Sequence, residues 1–188
     1  MINASSRIPA WGIALLAAIC LGVFIWMLTG YVLPFKDMTH AAMLEARLSR
    51  YGATEIDAMR GLLERKPEAR DLLLAMHRGP DLILPAALTA LLLSILIRLQ
   101  PGGHYFNRPM HPAMIAAIYA LPFVYGFSDY AENILTTNLF GGGAEWMFAQ
   151  AILPWASSLK FASLSVCIIV ILRFLAYRFA PPVDHAEP

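Results

Sequence analysis

Three carboxylates and one ammonium sit inside otherwise apolar runs of this chain, and they are the residues that could do chemistry. Asp129, Glu132 and Asn133 lie within the string D-Y-A-E-N, Asp81 opens the string D-L-I-L-P, and Lys160 follows Trp155 in a later apolar stretch. A charge placed in hydrocarbon costs at least about 2.5–3.5 kcal/mol, so four isolated ones would be selected against. Pairing is the cheapest escape, and Lys160 is expected within ion-pair reach of Asp129 or Glu132. Tyr125, Asp129, Glu132 and Thr136 recur at spacings of four, three and four, which places them on one stripe of a helix. Asn133 and Thr137 flank that stripe. Ala156, Lys160, Ser163 and Cys167 form a small and polar stripe suited to close helix approach. Carboxylates that can trade a proton, beside an amine and a phenol, suit proton coupling or the binding of a cationic ligand.

The elements that must position these residues are apolar helices. Of 188 residues, 59% are hydrophobic and 14% charged, and the mean hydropathy is positive. Four apolar segments approach or exceed the roughly 20 helical residues that cross a bilayer. They span residues 11–33, 81–99, 112–140 and 152–177. The reading is an all-α polytopic membrane protein: a single membrane domain, a four-transmembrane-helix bundle, with a short helical extramembrane cap at 36–80. Arg7 precedes the first segment, which is too long for a signal h-region and lacks a small-x-small cleavage site. Trp11, Tyr31, Trp146, Trp155 and Tyr177 lie near segment ends, as an aromatic belt would place them. A turn at 101–109 separates the second and third spans, and the triplet Gly141, Gly142, Gly143 ends the third.

Within the cap, Thr54 with Asp57 reads as a capping box ahead of Ile56, Met59 and Leu63. Pro67 suits the first turn of a further helix carrying Leu72, Leu73 and Met76. The expectation is a small cap lying on the membrane surface, with a partner-docking surface as the alternative.

Depth follows from counting. Asp81 precedes Arg98 by 17 residues and Asp129 follows Pro112 by the same number, about 25 Å of helix in each case. Lys160 falls about two turns into the last span if that helix begins near Pro154. The four ionisable groups therefore meet at one depth. Pro85 cannot donate to the Asp81 carbonyl, which is left open to a ligand, water or side chain, and Pro122 does the same to Ile118.

Less functional readings stand beside these. The acids, Lys160 and Asn133 could form a satisfied network that only fixes helix packing. Lys160 could snorkel to the interface. Asp81 could be an interfacial N-cap, and His77 reads as a surface histidine, or as a counter-charge from above together with Arg78. His104 and His111 fall on the other side of the membrane, so a three-histidine zinc site is disfavoured. A hard cation between Asp81, Asp129 and Glu132 is chemically possible but not demanded by spacing, and no metal or other cofactor is expected. Cys20 and Cys167 are packing residues, with no disulfide or C-x-x-C site. A net charge of +1 and the absence of a basic tract argue against nucleic acid.

The D-x-x-x-P and D-x-x-E-N strings, at Asp81 to Pro85 and Asp129 to Asn133, resemble a family of small four-span membrane proteins with no established function. The likeness covers residues 51–138. It implies that Asp81, Asp129, Glu132 and Asn133 belong together and implies no activity; Lys160 lies outside it.

The functional expectation is a bundle that binds or translocates a proton, an amine-bearing ligand or a lipid. The alternatives are an intramembrane enzyme using carboxylate acid/base chemistry on a lipid or isoprenoid, and an accessory subunit of a larger membrane complex. Membrane lipid and a homodimer or larger complex are the expected partners. A bacterial inner (plasma) membrane with both termini cytoplasmic is the expected location.

Overall fold

The first apolar segment forms a helix that buries almost nothing against the rest of the chain. In the computed structural model, which describes residues 8–44, 51–99, 104–105, 108–142 and 146–179, α1 spans Ala10–Met27 and has Cys20 as its one buried residue. A helix apolar all round belongs in an apolar medium. It continues through a π-helical turn, Leu28–Val32, into α2, Leu33–Thr39, which stops at His40 in the left-handed region (φ 55°). The helix therefore runs six residues beyond the expected end at 33. Pro34 falls in the first turn of α2, and Leu33 N–H bonds back to Leu28 O, so the π turn re-registers the ladder where proline has no donor. Arg7, Gly143, most of the 101–109 turn and the side chains of Trp146 and Tyr177 lie outside the described residues.

Two amphipathic helices follow. In α3, Ala53–Arg65, the buried residues Ile56, Met59 and Leu63 recur at helical spacing. Its N-terminus is fixed by Gly52, whose N–H donates to Glu55 Oε2 at 2.8 Å, rather than by Thr54 with Asp57. In α4, Pro67–Arg78, proline opens the helix and Ala69, Leu73, Leu74 and Met76 are buried. These stripes share one core with Phe35 of α2, with Leu135, Leu139 and Phe140, and with Leu153. The pair thus packs onto helix ends through its apolar face.

After Gly79 the chain enters α5, Pro80–Leu99, and past a two-residue antiparallel pairing of His104–Tyr105 with Arg108–Pro109 it forms α6, Pro112–Phe140. The last helix, α7, is Trp146–Phe179 with Pro154 inside it, so it begins six residues before the expected start at 152. α6 packs along α7, and α5 contacts α1, α6 and α7. A second core of Leu92, Leu96, Ile118, Tyr125, Cys167 and Ile171 lies between α5, α6 and α7.

Among the described residues, three stretches, Ala10–Thr39, Pro67–Leu99 and Met147–Ala176, are long and apolar enough to cross a membrane. α6 is of similar length, but its second half carries the polar string.

The α5–α6 approach depends on Gly126. A Cβ at that position would lie 2.5 Å from Thr89 Oγ1, which donates to Pro122 O at 3.2 Å. Gly126→Val should lower stability by about 1–3 kcal/mol through overpacking, read as a lower denaturation midpoint in detergent; an unchanged midpoint would mean the helices have room to part.

Candidate functional site

The polar centre lies between the two apolar cores and is built outward from α6. Tyr125, Asp129, Glu132 and Thr136 are all buried there, and Glu132 is only 1% exposed. This stripe faces α7, where Lys160 donates to Asp129 Oδ1 at 3.1 Å and also to Glu132 Oε2. Ser157, one turn earlier on α7, donates to Glu132 Oε1, and Tyr125 OH donates to Asp129 Oδ2 at 2.8 Å. Every oxygen of Asp129 and Glu132 therefore accepts from a named donor. Because the Ser157 proton is committed to Glu132, Tyr51 supplies the proton of its 2.6 Å bond to Ser157.

Lys160 does not snorkel; its ammonium sits between the two carboxylates. It lies 14 residues from the start of α7, about 21 Å, rather than two turns in. The earlier start of α7 lets it remain level with Asp129.

Asp81 and Asn133 belong to an adjoining set. His77 Nδ1 lies 2.8 Å from Asp81 Oδ2 and 2.8 Å from Asn133 Oδ1. Both neighbours are acceptor oxygens, so Nδ1 carries the proton. Asn133 Nδ2 in turn donates to the Asp81 carbonyl at 2.8 Å, the carbonyl that Pro85 frees. His77 is 2% exposed, so the surface reading is wrong, whereas the reading that sets it beside an acid fits its contact with Asp81: the last turn of α4 packs against α5 and α6, which brings the ring to Asp81 and Asn133. The carbonyl of Pro122, not that of Ile118, takes the hydroxyl of Thr89.

The six residues singled out from sequence are thus gathered around one segment of α6, in two sets. Glu132, Asp129, Tyr125 and Lys160 form the α7 side, and Asn133 and Asp81 the α5 side. Sequence reasoning passed over Ser157 and Tyr51, and of its two readings of His77 the surface one fails while the one beside the acids fits the contact with Asp81. Ser157 is three residues before Lys160 on the same face, a spacing that could have found it. Tyr51, on the approach to α3, had no such signal.

No protein-family model, curated protein or solved structure matches this chain.

The donors and acceptors still define what the centre can do. Lys160 occupies the space between Asp129 and Glu132 that a hard cation would need, and among the described residues no three His, Cys, Asp or Glu side chains are grouped to hold a metal. His111 accepts from Ala113 N at 3.2 Å as the N-cap of α6, a structural task. What the centre does contain is a continuous hydrogen-bonded series of phenol, hydroxyl, carboxylate, ammonium, carboxylate and phenol.

Proposed function

We propose that this chain spans a bilayer four times, α6 being the additional span, with α3 and α4 as a cap at one face, and that its polar centre takes up and relays a proton. A bacterial inner membrane with both termini cytoplasmic remains the location we favour. Support for the fourth span comes from the two faces of α6. One carries the bonded polar stripe, while the other exposes Phe123, Phe127 and Ile134, with Phe127 73% exposed. Polar residues turned into a bundle and large apolar residues turned outward are what hydrocarbon demands.

The observation that carries the proton reading is the series Tyr51, Ser157, Glu132, Lys160, Asp129, Tyr125, which links the cap to the interior of the bundle through hydrogen bonds. Asp129 and Glu132 share a single ammonium. A proton that adds to either acid replaces one of the hydrogen bonds that acid accepts, while the other acid keeps Lys160 as its counter-charge.

Purified protein in vesicles loaded with a pH-sensitive dye should acidify or alkalinise the lumen when a potassium diffusion potential is imposed. Glu132→Gln, which keeps the shape of the side chain, should abolish that flux while helicity and elution volume are retained. Flux equal to that of empty vesicles in the parent protein, or unchanged flux in Glu132→Gln, would overturn the proposal.

A further inference from the structure

We infer that a cleft between α3, α4 and the end of α6 binds the phosphate of an anionic phospholipid. Arg60 on α3 and Arg70 on α4 line one cleft of about 300 Å³, together with Leu63, Leu139 and Phe140. Two arginines from separate helices thus line the same cleft, and Arg recognises phosphate through paired N–H donors. Arg78 adds to the positive field, because its Nη2 would lie 3.8 Å from a Cβ built on Gly141. Glu64 also lines the cleft and opposes part of that charge. Arg60 leans on Asp57 at 3.7 Å, but the Asp57 side chain is 60% exposed, and so open an ion pair neutralises little of the charge that Arg60 brings to the cleft.

The floor decides between a lipid and a free anion. Leu139 and Phe140, the last two residues of α6, are core residues that give the cleft an apolar floor. A ligand that satisfies both parts of the cleft carries a phosphate above and hydrocarbon below. Basic pockets at the ends of spanning helices are suited to such headgroups. The inference rests on the bilayer reading of α6, which places this cleft at headgroup level, and it is independent of proton relay.

The test uses the full chain in a mild non-ionic detergent, titrated in parallel with dihexanoyl phosphatidylglycerol, dihexanoyl phosphatidylcholine and inorganic phosphate. The denaturation midpoint should rise saturably with phosphatidylglycerol only. Arg70→Gln and Arg78→Gln, both at exposed positions, should each raise the half-saturating concentration, Arg70→Gln by about tenfold. Lys66→Gln, away from the cleft, should leave it unchanged. An equal response to phosphatidylcholine, an equal response to phosphate alone, or identical titrations in all the variants would overturn the assignment. Failure of the bilayer reading would show separately, as protein that does not float with vesicles in a density gradient.

Discussion

Lys160→Met should unfold at a much lower denaturant or temperature midpoint than the parent protein, with a loss of about 3–5 kcal/mol, the cost of breaking a buried ion pair from one side. The ammonium is the shared donor to Asp129 Oδ1 and Glu132 Oε2, and its removal leaves two carboxylates facing each other where Coulomb repulsion is poorly screened. Adding Asp129→Asn and Glu132→Gln to the same chain should recover most of the loss, because neutral amides have no charge to leave uncompensated. Recovery of stability without recovery of proton flux would separate the two contributions of the centre. A Lys160→Met protein as stable as the parent would mean that the ammonium is dispensable to the carboxylates.

The second large effect is expected at Asn133, which holds α4, α5 and α6 together. Asn133→Leu removes the donor to the Asp81 carbonyl and the acceptor for His77 Nδ1. The carbonyl loses its named side-chain donor, and a buried polar group left without one costs about 1–3 kcal/mol. His77 keeps its bond to Asp81, so the damage should concentrate at the proline-opened turn of α5. Amide hydrogen exchange should accelerate most over residues 81–84, with the far half of α5 unchanged. Uniform acceleration along the whole helix would show that Asn133 acts through global stability instead.

The helices were legible because hydrophobic length and helical spacing are local properties. α6 begins and ends where its flanking Pro112 and Gly141 put it. Ile56, Met59 and Leu63 are buried together as their periodicity requires. The extents of the first and last helices were not legible, since Pro34 and Pro154 both look like boundaries, whereas a π turn accommodates the former and α7 continues through the latter. In the centre, the 4-3-4 stripe and the cost of unpaired charge were enough to join Lys160 to the α6 acids. They could not show the division into two sets, because Glu132 and Asn133 are adjacent in sequence and point to different partners. Tyr51 and His77 come from segments whose position against α5, α6 and α7 is fixed by tertiary packing, which spacing within one helix does not reveal.

The π turn at Leu28–Val32 makes the first helix a phase shifter. Each residue of an α-helix advances the side chains by about 100°, so one extra residue in a single turn rotates everything beyond it to a new azimuth. Upstream, almost every side chain of α1 is left outside the core; downstream, Phe35 and Thr39 are buried against α4 and its neighbours. Deleting one residue from that turn would keep the helix and its length almost intact while swinging Phe35 away from its socket, so the docking of the first helix onto α3 and α4 is encoded as a count of residues as much as by their identity.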